Sequence, residues 1–275
     1  FNVRVKMDVK NILKAISGER VKYYPNTGNA GDSLINAGFY NISNEVGLEY
    51  EVIYANGISE ITDQDIVIIG GGGAMVPEWP STPIFISEIQ KRCKKIIVLP
   101  QSIKNKDSLI RGFRPNDIVI CRERYSYQYC VSLKPACKIS IGDDMAFHAD
   151  VVSLLNGKYR EGRIRRMNNY IRDLILVCHH FIRSKVGKKI NAFRCDKEAK
   201  ININVKRRKI NDFSSICRFS SGSEAASSYS ASKFLKLINL YEEIHTDRLH
   251  VIIAAAMLGK KVVAYPNSYY KVEGV

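Results

Sequence analysis

A chain of 275 residues with 45% hydrophobic and 25% charged residues is long enough for two compact units and has the composition of a globular protein. It has no apolar run of about 18 residues, which excludes a membrane-spanning helix, and its seven scattered cysteines contain no Cys-x-x-Cys, which argues against a disulfide frame or a zinc site and for a reducing cytoplasm. The net charge of +15 is concentrated: residues 158–209 carry 17 Lys and Arg against 4 Asp and Glu, a balance of 17 − 4 = +13 that would attract an anionic partner.

No zinc-finger spacing, basic zipper or RNA-binding aromatic signature accompanies that charge, so nucleic acid is not expected as the partner. Phe1 does not read as a native start, and an N-terminal piece is expected ahead of it.

In chain order, a short helix is predicted over about Met7 to Ile16 and a strand over Val21 to Tyr24. The loop from Pro25 to Gly31 holds Gly28, Asn29 and Gly31, and Asp32 then opens a helix to about Glu45. A carboxylate there is either a cap or a group facing a ligand, orienting a sugar hydroxyl or a catalytic Arg. Strands follow at Leu48 to Tyr54 and Asp65 to Ile69, the second rich in Val and Ile as a buried parallel strand should be. Gly70 to Gly73 come next, a run without side chains that lets a ligand or another backbone approach, or that makes a tight turn. It has neither dinucleotide-binding nor P-loop spacing.

Helix Ile84 to Cys93, strand Lys95 to Leu99, helix Ser108 to Phe113 and strand Asp117 to Cys121 continue the alternation. Arg122 stands just past that strand, at the end of a sheet where α/β folds bind ligands. Strand Ile139 to Ile141 and a helix from Met145 to Leu155 close the first half. In the basic stretch, Ile171 to Ile182 is apolar between Arg-rich and Lys-rich flanks, which suits either an anionic membrane face or a helix packed between domains. His179 and His180 diverge by about 100° on a helix and do not chelate one metal together.

The second half resumes at Asn191, with a helix over Ala225 to Leu240, a strand at Ile244 and a last strand over Lys261 to Tyr265. Between the last two lies Thr246-Asp247-Arg248-Leu249-His250, leading into an almost wholly apolar helix to Leu258. Thr246 or Asp247 is expected as its cap. The uncapped N–H groups of such a buried helix and its dipole can hold an anion. Arg248 adds a fork of donors for carboxylate or phosphate, and His250 can trade a proton near neutral pH.

These pieces resemble the polysaccharide pyruvyl transferase family. The similarity rests on GNAGDSLI at Gly28 to Ile35, GGGG at Gly70 to Gly73, PQS at Pro100 to Ser102 and RERYS at Arg122 to Ser126. It continues through FRCDKE at Phe193 to Glu198, TDRLH at Thr246 to His250 and NSYYK at Asn267 to Lys271. The family pattern has Arg-Asp where this chain has Arg122-Glu123, and its members usually continue past the equivalent of Val275.

The resemblance, with strand and helix alternating in both halves, implies an α/β fold of two Rossmann-like domains with a cleft between them, in a GT-B-type glycosyltransferase arrangement. The expected boundaries are a first domain at 1–157, a basic linker and helix at 158–190, and a second domain at 191–275. It further implies transfer of a pyruvyl group from phosphoenolpyruvate to a hexose of a lipid-linked surface-polysaccharide precursor, as in capsule or exopolysaccharide synthesis, forming a pyruvate ketal. No cofactor or metal is expected, and the enzyme is expected in the cytoplasm, peripheral at the inner face of the membrane. Arg248, His250 and Asp32 are the expected catalytic residues. Arg122, Arg248, Leu249, His250 and Gly72 are expected to bind phosphoenolpyruvate, with Arg122 and Arg248 clamping its anionic groups. Asn29, Asp32, Asn267 and Lys271 are expected to bind the acceptor. A GT-B-like glycosyltransferase with a nucleotide-sugar donor explains the architecture equally well. A non-catalytic polyanion- or membrane-binding module would explain the charge but leave the glycine loops and His250 idle.

Overall fold

The computed structural model describes residues 6–159, 167–196, 199, 207–217, 222–266 and 272, with side chains over 167–174 set aside. The chain forms two compact units. The first comprises Phe1–Asn26 and Gly38–His148, and the second Thr27–Ala37 and Ala149–Glu273. This division differs from the expected domain boundaries: the first glycine loop groups with the C-terminal half of the chain, and the break falls at His148.

The first unit is built on a parallel sheet of seven strands. They are β1 (Val21–Tyr24), β2 (Glu51–Val52), β3 (Ile66–Ile69), β4 (Gly72–Met75), β5 (Lys95–Ile103), β6 (Ile118–Cys121) and β7 (Lys138–Ile141). Helix α1 (Val9–Lys14) precedes β1, and α2 (Ala30–Val46), α3 (Ser81–Ile89), α4 (Asp107–Arg111) and α5 (Arg124–Ser132) lie between the strands in the chain. The strand order is β2-β1-β3-β5-β6-β7. The chain therefore runs outward from β1 to β2 and then returns to place β3 on the other side of β1, a reversal that opens a crevice at the carboxyl ends of β1 and β3.

β3 is Ile-Val-Ile-Ile and wholly buried, as a strand covered on both faces must be. Aromatic stacking packs β1 on its neighbours: Tyr23 lies 3.6 Å from Phe39 and Tyr24 lies 3.8 Å from Phe85, centroid to centroid. β5 is longer than expected because it has two partners in succession. Lys95–Val98 pair with β3, and Gln101 to Ile103 pair with β4.

The second unit has a three-stranded parallel sheet of β8 (Lys189–Asn191), β9 (Glu243–Thr246) and β10 (Lys261–Ala264), in the order β10-β9-β8. Its helices, besides the first turns of α2, are α6 (Val151–Asn156), α7 (Met167–Val186), α8 (Phe213–Ile216), α9 (Glu224–Asn239) and α10 (Leu249–Met257). Both units are thus mixed α/β with parallel strands.

Several expectations change. The helix expected from Met145 to Leu155 is interrupted, because Asp150 accepts from the Ser153 amide and starts α6 afresh after a single 3-10 turn. The strand expected over Leu48 to Tyr54 pairs only at Glu51–Val52. The presumed linker at 158–190 ends in a strand of the second sheet. Only Ile190 of β8 is buried, so its flanking lysines disguise it as a charged loop.

Candidate functional site

The glycine loop after β1 organises itself before it meets anything else. Asn29 Oδ1 accepts from the Gly31 amide at 2.8 Å, and Asp32 Oδ2 accepts from the Asn29 amide at 2.7 Å. Each side chain satisfies an orphan N–H at the start of α2, a reciprocal capping box. Asp32 therefore serves as a cap, whatever else it does. Gly28 is required here, since a Cβ on it would stand 1.8 Å from Asp32 Oδ2.

Against this loop lies His250, at the second residue of α10. A Cβ added to Gly31 would fall 2.3 Å from His250 Nδ1 and 2.7 Å from its Cβ and Cγ. The imidazole occupies the space that a side chain at residue 31 would take. GNAGD and TDRLH, more than 200 residues apart in the chain, thus meet within the second unit. His250 is buried, and Leu249 beside it is core.

The cap of α10 differs from expectation. Arg248 is the capping residue, in extended conformation, and no side chain caps the helix. Thr246 instead donates its hydroxyl to the Ala192 carbonyl at 2.7 Å and accepts the Arg248 amide at 3.0 Å, fixing the turn between β9 and α10. Asp247 is fully buried, accepting from the Arg194 amide and from Arg207 Nη1 at 2.8 and 2.7 Å. Both carboxylate oxygens of Asp247 are thus directed to Arg194 and Arg207, and neither caps α10.

Arg248 is held just as firmly. Its Nη2 donates to Asp212 Oδ2 at 2.6 Å, to Asp196 Oδ2 at 2.9 Å and to Ser215 at 3.1 Å, while Nε donates to Asp212 Oδ1. Arg194 forks onto Asp196 from the other side, at 2.7 and 3.2 Å. Three guanidinium groups (Arg194, Arg207, Arg248) thus interleave with three carboxylates (Asp196, Asp212, Asp247), a charge-neutral, mutually orienting cluster. Burial and the neighbouring Asp212 push the Cys195 thiol up, which disfavours the thiolate. Neither Asp212 nor Arg207 was picked out from sequence. Asp212 precedes Phe213-Ser-Ser and reads as an ordinary cap for a short helix; only the fold carries it to Arg248.

In the first unit, the second glycine run follows the carboxyl end of β3 and packs closely beside the end of β1. The Gly70 amide donates to the Tyr24 carbonyl at 2.8 Å, and a Cβ on Gly70 would stand 2.9 Å from the Asn26 nitrogen. Gly72 has φ +121°, a backbone conformation that favours glycine. Gln101, within the PQS stretch, bridges the break between β3 and β4: its Nε2 donates to the Gly70 carbonyl at 2.5 Å and its Oε1 accepts from the Ala74 amide at 3.0 Å. The glycine run is thus half loop and half strand.

Arg122 lies just past β6 as expected, but its side chain is wholly buried. Nη1 donates to Asp144 at 2.9 Å and Nε to Ser102 at 2.8 Å, and Ser102 donates to Glu123 at 2.9 Å. Glu123 also accepts from Ser126, which accepts the Ile103 amide at 2.7 Å. PQS and RERYS are therefore one buried hydrogen-bonded network of the first unit. Asn29, Asp32, Arg248 and His250 belong to the second unit, and Gly72 and Arg122 to the first. Asn267, Lys271 and Glu198 lie outside the described residues. Among the described residues, no group of three or more His, Cys, Asp and Glu is placed to hold a metal.

Comparison with known proteins places this geometry. No curated protein matches the chain. A solved structure of a functionally uncharacterized protein from Klebsiella pneumoniae subsp. pneumoniae NTUH-K2044 is similar, with 28% identity and a TM-score of 0.74, over 97% of this chain and 91% of that one. The sequence model of the polysaccharide pyruvyl transferase family matches residues 29–269, a span that opens on the capping box of α2 and contains the His250 turn. The chain belongs to the polysaccharide pyruvyl transferase family, and is a transferase that moves pyruvyl groups in polysaccharide synthesis.

Proposed function

We propose that the donor is phosphoenolpyruvate and that the acceptor is a hexose of a lipid-linked surface-polysaccharide precursor, which leaves as a cyclic pyruvate ketal. The observation that carries this reading is the seating of the His250 imidazole against Gly31, beside the Asn29–Asp32 capping box. A proton-transfer group is thereby held at the turn that carries Arg248, on a rigid buried helix.

In this reading one sugar hydroxyl adds to the enol carbon of phosphoenolpyruvate and loses its proton, while the methylene carbon gains a proton and becomes a methyl group. The bond from the enol carbon to the phosphate oxygen then breaks. A second hydroxyl attacks the same carbon, its proton leaving with phosphate, and the ketal closes. His250 is the group we assign to proton transfer. Asn29 and Asp32 are assigned to the acceptor, where the outer faces of the capping carboxylate and amide can meet a hydroxyl, with Asn267 and Lys271 proposed alongside them.

Arg248 is assigned to the anionic groups of the donor, Leu249 contributing its backbone N–H. Its guanidinium is already bound to Asp212, so a donor with several negative charges has to be accommodated beside that carboxylate. Arg122, paired with Asp144 in the first unit, is proposed as an anion-binding group of that unit. Such pairing fixes each fork in advance, at the cost of some net attraction. No cofactor or metal enters the proposed reaction.

The test is turnover with phosphoenolpyruvate and a lipid-linked oligosaccharide, read as phosphate release and ketal formation. His250→Ala is expected to lower turnover by about 10²-fold or more while the fold persists. Near-full turnover in that variant removes His250 from the mechanism. Binding of labelled nucleotide-sugars in place of phosphoenolpyruvate would replace the donor assignment with the glycosyltransferase one.

A further inference from the structure

The polarity of α7 is inverted. Its inner side carries His180 and Ser184, both buried. His180 Nε2 donates to the Ile210 carbonyl, a pure acceptor, at 2.8 Å, which leaves Nδ1 to accept the Tyr241 hydroxyl, also at 2.8 Å. The outer side carries Ile175, Ile182 and Val186, 61%, 65% and 89% exposed, at the i, i+7, i+11 spacing of one helix face. Phe181, 51% exposed, lies off that face, about 100° round the helix from Ile182. A surface helix normally turns its apolar stripe to the core and its polar residues to water; α7 does the reverse over its last three turns.

We propose that this face of α7 docks on an anionic lipid surface. The stripe from Ile175 to Val186 is straight and roughly 16 Å long, at about 1.5 Å per residue, which suits a planar apolar boundary rather than a concave one. At its C-terminal end the charge is positive. Lys185 is exposed, lies 5.1 Å from the Phe181 ring and makes no ion pair among the described residues. Lys188 and Lys189 follow, exposed, each facing one carboxylate, Glu242 and Glu243.

That charge decides the occupant. Residues 175–186 contain no Asp or Glu, so a second copy presenting the same stripe would offer these lysines no carboxylate. An anionic leaflet instead complements them and receives the apolar side chains at the level of its headgroups. No helix among the described residues is long and apolar enough to cross a membrane, so the contact is peripheral on this helix. The inference goes beyond the reaction and does not depend on it, although a lipid-linked acceptor would share the same surface.

The full chain is mixed with vesicles of pure phosphatidylcholine or of phosphatidylcholine with phosphatidylglycerol, and floated at low and at physiological salt. It is expected to float with the phosphatidylglycerol vesicles, less at the higher salt but still measurably. Lys185→Glu should weaken partitioning about fivefold or more, and Ile175→Asp with Ile182→Asp about tenfold or more. Both sets lie on the outer face, so thermal melting should match the parent chain. Failure to float at low salt overturns the proposal. Unchanged flotation of the double variant overturns it too, since the apolar stripe would then not be the contact. If that variant instead converts a dimer to a monomer in sedimentation with vesicle binding unaltered, the face belongs to a second copy and the proposal is wrong.

Discussion

Replacing Gly31 by Ala separates local propensity from tertiary contact, because the two predict opposite signs. Gly31 lies in the first turn of α2 with an ordinary φ, and an alanine in a helix is favoured over glycine by up to about 1 kcal/mol. The added methyl would nevertheless stand 2.3 Å from His250 Nδ1 and 2.7 Å from its Cβ and Cγ. Comfortable carbon contacts are about 3.5–4 Å, so the imidazole or the start of α2 has to move by roughly 1 Å. Overpacking of this kind costs about 1–3 kcal/mol. The net expectation is a loss of about 1 kcal/mol, together with a displaced His250 and lower turnover.

Two units need not unfold together, so the readout should be local: hydrogen exchange at α10 amides, checked by urea titration. In a His250→Ala background the Nδ1 and Cγ overlaps vanish while the residue-250 Cβ stays. The Gly31→Ala penalty should then shrink by about 1 kcal/mol without reversing fully. A Gly31→Ala chain more stable than its parent by the full helix-propensity increment would refute the packing of His250 on this loop.

Other perturbations probe the supports of the site. Asp212→Asn leaves the Arg248 guanidinium buried with a weakened partner, and should cost about 3 kcal/mol in the second unit; a change below about 0.5 kcal/mol would mean that Asp196 holds Arg248 alone. His180 gives a pH signature, since burial pulls its pKa below the ordinary histidine value. Between that lowered value and about 6.5 the unfolded chain binds a proton that the folded chain does not, so stability rises with pH across the window and is lost as the pH falls through it, with no further loss below. His180→Gln should flatten this part of the stability–pH curve relative to the parent, and an unchanged slope would assign the effect elsewhere.

Much of the architecture could be read from residue pattern alone. Val and Ile runs such as Ile66–Ile69, with helix-length segments between them, required parallel strands buried on both faces, because an unbroken apolar strand has no face left for water. The groups present at the TDRLH turn were likewise legible, since a charged fork and an imidazole opening an apolar helix are local facts. The elements misjudged were those with weak local signals. β8 has one buried residue between lysines and basic flanks, and the interrupted helix near Asp150 depended on a single side-chain cap.

Periodicity cannot encode which distant segments meet. That Gly31 makes room for His250, that Arg248 is claimed by Asp212, and that Arg122 is sealed against Asp144 all join residues 20 to more than 200 positions apart. Burial makes those pairings obligatory: once the helices cover the strand ends, each desolvated guanidinium needs a carboxylate and each orphan amide an oxygen. The sequence by itself determined which groups are present, and tertiary packing alone decided that both arginines are already partnered, because the low-dielectric interior does not leave a charge unpaired.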